Sequence, residues 1–428
     1  MTEAIAIVIF VGAYVLIATE WVHRVVVALA GAGLMLLFQI VDLNDAFHSE
    51  RLGVDWNVVL LLLGMMVIVG VLRHTGLFEY LAIWSAKRAR GRPFRVLVML
   101  IVITAVASAL LDNVTTILLV APVTVLLAER LGDPPVPFLI AEVMASNIGG
   151  TATLVGDPPN IIIGSEAGLD YLDFVTNLAP LVVVLIIVLI VLVRWLFRDA
   201  FVFHPERTEE VMALDEREAL VPGPLLPRAL AVLGVVTAAF VLQGVLHYEP
   251  SVVALLGAGV LLLVAEGDVE TFLREIDGGT LLFFMGLFVM VGALVKVGVV
   301  ASITDALVRA TGGHLLAATL VLLFASGILS AIVDNIPYVA TMAPIVHQLT
   351  TAIPGDATVL WWSLALGADL GGNATSIGAS ANVVALGMAE RAGHPIRFVD
   401  FLKYGLIVAP VTLGVSALYV WFRYFLVG

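Results

Sequence analysis

Asp112-Asn113 ends one apolar run, and 222 positions later Asp334-Asn335 ends another; these pairs are the best placed in the chain to do chemistry. Behind the first come Thr115, Thr116, Asn147, Gly150, Thr151, Thr153, Asp157 and Asn160. Behind the second come Asp369, Gly372, Asn373, Thr375 and Asn382. The same interval relates Gly150 to Gly372, Thr153 to Thr375 and Asn160 to Asn382. No lysine or arginine occurs from 96 to 129, from 131 to 193, or from 310 to 390. A carboxylate at the centre of a spanning helix costs about 2.5–3.5 kcal/mol. Four of them without a fixed cation need bound protons or metal cations, hydrogen bonds from broken helix ends, or water in a cavity. Asp112, Asp157, Asp334 and Asp369 are therefore the candidates for carrying a coupling proton or Na⁺.

Each residue also has a purely structural use. Asp112 and Asp334 suit the N-cap of a helix, and Asp157 precedes Pro158-Pro159, where a helix would stop and restart. Gly149-Gly150 and Gly371-Gly372 are expected to let the backbone leave the helix and expose carbonyl and N–H groups to ions. Gly64, Gly70, Gly286 and Gly292 read as close-packing positions between helices. Asp369 takes the place of Asn147 in the other half, so the halves differ in charge there.

These residues sit in a chain that is 61% hydrophobic and 13% charged. Such a composition excludes a soluble protein and leaves nucleic acid without a binding surface. There is no cysteine, hence no disulfide and no thiolate metal site. No resident metal or other cofactor is expected, and no hydrolytic site: Gly156-Asp-Pro-Pro-Asn160 lacks the lysine of a phosphate loop. The fold class is all-α and polytopic, embedded in membrane lipid, with two inverted repeats and about ten transmembrane helices.

The first repeat, 1–198, carries spans near 4–18, 24–40 and 57–73, an interfacial arm at 77–90, and a re-entrant hairpin at 96–130. A broken helix at 136–169 and a last span at 178–197 complete it. The second, 226–428, has spans within 226–296, an arm at 299–311, a hairpin at 315–350, a broken helix at 358–389 and a last span at 405–426. An odd count per repeat inverts the second. Placing the N-terminus outside puts 17 of the 21 lysines and arginines on the cytoplasmic side. The polar stretch 199–225, with Asp199, His204 and Asp215, is then a cytoplasmic linker. The first apolar run is expected to be a retained helix, not a leader peptide.

The wording at LLDNVTTILLVAPVT (110–124), IAEVMASNIGGTATLVGDPPNIII (140–163), DNIPYVATMAPI (334–345) and GADLGGNATSIGASANVVALGMAE (367–390) resembles the ArsB/NhaD permease family of the ion transporter superfamily. Within it, the branch of the melanosomal P protein and the bacterial arsenite-pump-like members come nearest. The resemblance implies a homodimer in the inner cell membrane, each protomer having a fixed scaffold and a transport unit that moves elevator-fashion. It places Asp112, Asn113, Thr115 and Thr116 on one hairpin tip, and Gly150, Thr151, Thr153, Asp157 and Asn160 on one broken helix. Asp334, Asn335, Gly372, Asn373, Thr375 and Asn382 form the second set. A separate ATPase subunit is a possible partner of such proteins.

The family exports trivalent arsenic and antimony, exchanges sodium for protons, or handles anions. A site without lysine or arginine disfavours a dianion, whereas the uncharged trihydroxide of trivalent arsenic suits Asn, Thr and backbone groups. The expectation is proton-coupled efflux of arsenite or antimonite. A Na⁺/H⁺ antiporter and an anion transporter, of chloride or a carboxylate, are the alternatives.

Overall fold

The computed structural model describes residues 2–19, 21–49, 51–198, 200–202 and 205–427. Asp199 and His204 of the linker lie outside the described residues. Every regular element among the rest is helical. Seven helices are long and apolar enough to cross a membrane: Thr2–Thr19, Trp56–Arg73, Pro93–Leu110, Asn113–Leu131, Ala179–Leu196, Gly278–Lys296 and Phe398–Val427. Three further apolar helices are shorter, at Arg24–Leu37, Leu225–Val241 and Pro250–Val264. The first of these has 14 residues, so it rises only about 21 Å at 1.5 Å per residue. Two of the seven, Pro93–Leu110 and Asn113–Leu131, are hairpin arms that the expected ten leave out, and the ten include the two broken helices, whose segments are too short to be among the seven.

Trp56–Arg73 packs on Pro250–Val264, and Gly278–Lys296 on Arg24–Leu37, so the third span of each half lies against the second span of the other. Glycine makes both crossings close. A Cβ at Gly64 would meet the Ala254 backbone at 2.6 Å, and one at Gly286 the Ala28 backbone at 2.7 Å. The close-packing reading of these glycines holds.

Leu77–Arg88 follows the first scaffold bundle. Its Lys87 donates to Glu216 and to the Leu214 carbonyl of the linker, and that ammonium holds the Glu216 carboxyl below the usual carboxylate range. Its counterpart, Val299–Thr311, turns by 117° into Leu315–Ser330, as an arm lying across the end of a hairpin should.

The hairpins are Pro93–Leu110 with Asn113–Leu131, and Leu315–Ser330 with Asn335–Ala352. The broken helices are Pro135–Gly150 with Pro158–Ala167, and Val359–Gly371 with Ser380–Arg391. The α-helices stop at the glycine doublets, as expected, Pro135–Gly150 at the second glycine and Val359–Gly371 at the first, but they do so with ordinary negative φ. The role of the glycines is close approach. A Cβ at Gly149 would lie 2.5 Å from the Ala105 Cα, and one at Gly371 2.6 Å from the Gly327 Cα, clamping each broken helix to the first arm of its hairpin.

Candidate functional site

The two breaks and the two hairpin tips meet. Ser108 Oγ donates to the Ser146 carbonyl at 2.7 Å, and Ser330 Oγ to the Ala368 carbonyl at 2.6 Å. Beyond each break, Thr153 Oγ1 donates to the Ala109 carbonyl and Thr375 Oγ1 to the Ala331 carbonyl, both at 2.6 Å. Asn160 Nδ2 closes the first break by donating to the Gly150 and Thr153 carbonyls, and Asn382 Nδ2 closes the second on Gly372 and Thr375. Thr153, Asn160, Thr375 and most of Asn382 thus hold the breaks in shape, satisfying carbonyls that the irregular backbone frees.

Inside this frame lies a chain of buried amides around a carboxylate. Asn113 Nδ2 donates to Asp157 Oδ2 at 2.6 Å and to Asn147 Oδ1 at 3.2 Å. Asn335 Nδ2, from the other hairpin tip, approaches Asp157 Oδ2 at 3.3 Å. Asn147 Nδ2 donates to Asn373 Oδ1 and Asn382 Oδ1, both at 2.9 Å. Asp157 stands at the N-cap of Pro158–Ala167, yet its side chain makes no capping bond. Both hairpin tips therefore converge on its carboxylate.

Asp369 is fully buried one turn before Asn373, which accepts from Asn147 in this chain. Neither Asp369 oxygen has a hydrogen-bond partner, and neither does Asn113 Oδ1. The neighbouring Thr151 hydroxyl is taken up by the Asn147 carbonyl. Unused buried acceptors thus outnumber the one unused amide donor here, Asn373 Nδ2. Such a surplus of oxygen suits a proton or a small cation.

Asp112 and Asp334 belong elsewhere. Each caps its helix, Asp112 accepting from Thr115 N at 2.8 Å and Asp334 from Ile336 N at 3.0 Å. The capping use holds for both, and both carboxylates line cavities shared with Asp277. There Arg24 reaches in from the helix Arg24–Leu37. Its Nη1 donates to Ser380 Oγ at 2.7 Å and stands 3.9 Å from Asp334 Oδ2; its Nη2 reaches Thr280 Oγ1 at 3.3 Å. This corrects the expectation of a site without a basic residue. Arg24 and Ser380 lie 356 positions apart, so no search of the lysine- and arginine-free intervals could find the contact.

Arg24 stands between two cavities. One, of about 100 Å³, is lined by Asp112, Thr115, Asp277 and Thr280 and extends to Arg73 and Glu275 at the scaffold end. The other, of about 420 Å³, is lined by Asp277, Asp334, Pro337 and Ser380. Tyr14 adds a second bridge, from Thr2–Thr19 to the second hairpin, donating to the Pro337 carbonyl and sharing a hydrogen bond with Thr341. Thr116 is buried with no partner for its hydroxyl. Besides Arg24, the sequence reading missed Glu142, fully buried on Pro135–Gly150 and accepting from Thr124 Oγ1 at 2.7 Å. A carboxylate inside that apolar helix, matched by Leu364 in the other half, was the available signal.

Residues 14–367 match the family described as Citrate transporter, CitMHS. An uncharacterized transporter of Mycobacterium tuberculosis is 52% identical over 425 residues, covering 99% of both chains. A 46 kDa membrane protein of Mycobacterium leprae is 49% identical over 424 residues, again at 99% of both. The human P protein is 33% identical over 507 aligned positions, with 99% of this chain matching 60% of that longer one. Among solved structures, the YdaH transporter of Alcanivorax borkumensis superimposes with a TM-score of 0.57 at 16% identity, over 99% of this chain and 98% of its own. MtrF of Neisseria gonorrhoeae, described as illuminating a class of antimetabolite efflux pumps, gives 0.57 at 13% identity over 96% and 95%. Both show the same fold.

Proposed function

Because this chain belongs to the citrate transporter family CitMHS, a family of membrane transporters, we propose that it is a secondary transporter coupled to H⁺ or Na⁺, with the coupling ion held between Asp157 and Asp369. One observation carries the reading: two buried carboxylates, one from each half, lie in a chain of amides, and one of them has no hydrogen-bond partner. A charge so placed is tolerated only with a proton or cation to offset it.

The solute sits beside the tips, in the space around Arg24. Asp112, Asp277 and Asp334 leave that space negative despite the guanidinium. An uncharged solute rich in hydroxyls, such as the trihydroxides of arsenic and antimony, suits the donors and acceptors of Thr115, Thr280 and Ser380. A second reading is a carboxylate that enters with a cation alongside; Arg24 and the description of the family favour it. Transport follows from movement of the hairpins, broken helices and last spans against the scaffold, with the repeats inverted, the N-terminus outside the cell membrane, and the scaffold forming a homodimer. The Arg24 and Tyr14 bridges are the contacts such a movement must break.

The test is reconstitution in liposomes with an internal pH reporter, adding arsenite, antimonite, Na⁺, Li⁺, chloride or citrate singly. Proton movement with one of these, lost in Asp157→Asn and Asp369→Asn, is expected. Coupled movement that survives both substitutions would overturn the assignment of the ion site.

A further inference from the structure

We propose that Glu142 is a second proton-binding site, buried within the hairpin and broken-helix unit and exchanging its proton along the hydroxyls of Ser146 and Ser108 beside the break. The inference rests on the reading of Asp157 and Asp369 as that ion site. Glu142 Oε1 accepts from Thr124 Oγ1, while Oε2 is buried without a partner. The second half builds the same crossing from Leu364 and Val346 at the equivalent positions. Packing therefore does not require a carboxyl and a hydroxyl there. Hydrocarbon would avoid the cost of placing an acid in the membrane interior.

The surroundings extend the site toward the break. Ser108 bonds to the Ser146 carbonyl across an interval of 38 residues; Thr104 and Glu142 share that interval one turn earlier, so they stand level on the same two helices. Thr104 Oγ1 is buried without a partner, as is Thr116 Oγ1, one turn along from Asn113 on the other hairpin arm. A water bridging such groups would find the two to four polar partners it needs. One turn beyond Glu142, about 6 Å along the axis, Ser146 Oγ donates to the Asn113 carbonyl at 2.9 Å and to Ser108 Oγ at 3.2 Å. The Asn113 side-chain amide, a separate group from that carbonyl, reaches Asp157, so the hydroxyls end next to the ion site.

No competing counter-ion stands nearby. The helices packed on Pro135–Gly150 carry Arg95, Glu129, Arg130, Arg194, Glu390 and Arg391, all exposed near helix ends. Asp369 is the buried charge among them. A proton, not an ion pair, is what neutralises Glu142.

Infrared spectroscopy of the full-length protein in liposomes tests this directly, because protonated carboxyls absorb apart from ionised ones and shift in D₂O. The wild type at neutral pH should show a protonated-carboxyl band that E142Q loses and D157N keeps. Ser146→Ala should slow deuteration of that band about tenfold, the effect of one lost hydrogen-bonded link. The double variant T124V/E142L, which installs the second half's own residues, guards against a folding defect and should lose the same band. A band unchanged in E142Q and in the double variant overturns the proposal, and so does a deuteration rate indifferent to Ser146→Ala. Failure of the ion-site reading looks different: coupled transport would survive D157N and D369N while the E142Q band difference remained.

Discussion

Asp157→Asn should separate coupling from folding, and the geometry says by how much. Asn113 and Asn335 both reach Oδ2, at 2.6 and 3.3 Å, whereas Oδ1 receives only a contact at 3.4 Å. An asparagine with its carbonyl oxygen where Oδ2 stands keeps both donors. The loss is that of charge assistance, about 1–2 kcal/mol, and release from burying a charge offsets part of it. The unfolding midpoint should move by no more than about 2–4 °C per kcal/mol for a chain of this size. Coupling should vanish altogether. A proton carried down one pH unit supplies about 1.4 kcal/mol, roughly tenfold accumulation, and one carried across 100 mV supplies about 2.3 kcal/mol. The assay is uptake into liposomes under an imposed pH gradient, with labelled arsenite and labelled citrate in parallel, beside solute counterflow without a gradient. Gradient-driven accumulation should fall to equilibration while counterflow persists. Accumulation at the wild-type level would refute the reasoning. So would loss of counterflow in a protein that unfolds at its normal temperature, because Asp157 would then bind solute.

Arg24→Gln removes the guanidinium between the cavities; if the solute is a carboxylate, citrate counterflow should weaken by about tenfold or more, the worth of a charged hydrogen bond, while arsenite counterflow is unchanged. Gly371→Ala drives a Cβ to 2.4 Å from the Gly327 carbonyl oxygen, in backbone that cannot yield. It should cost at least about 1–3 kcal/mol and lower the yield of folded protein on detergent size exclusion. Gly12→Ala, with nothing within 4 Å, should not. Lys87→Ala frees Glu216 and should expose the linker to protease at neutral pH. Because Lys87 lowers the Glu216 carboxyl from its ordinary value, the wild-type attachment should be complete above that value and fail only as pH falls through the lowered one. Cleavage of the wild type that does not rise on acidification would refute the link.

Much of this architecture was legible because hydropathy and the 222-residue interval are properties of the chain itself. Helices occupy the apolar runs, as at Asn113–Leu131 and Ser380–Arg391. What could not be read was contact between segments distant in sequence. Arg24 is the single charge of its apolar helix, and nothing near it in sequence announces Ser380 or Asp334. The close contacts at the glycine doublets went unread for a related reason. Glycine permits both unusual backbone angles and close approach, and only the neighbouring helix, Ala105 or Gly327, decides which is used.

The duplicated residues and the unduplicated ones do different work. Ser108 and Ser330, Thr153 and Thr375, Asn160 and Asn382 repeat in sequence and repeat the same bonds to backbone, so their duplication reports a shared frame. The duplicated carboxylates Asp112 and Asp334 cap helices; the charges that neither do this nor repeat stand where the interval fails. Asp157 faces Ala379 across the interval, Asp369 faces Asn147, Arg24 faces Leu246 and Glu142 faces Leu364. Two equal halves, each with its own full set of carboxylates, would place four charges around one amide chain, and their mutual repulsion at low dielectric would be prohibitive. One carboxylate from each half, at inequivalent positions, gives a pair whose charge a single shared proton or Na⁺ halves, leaving one negative charge spread over the amide chain. Only the tip amides Asn113 and Asn335 are both duplicated and engaged with that pair. They are neutral donors, which two halves can supply together without repelling one another.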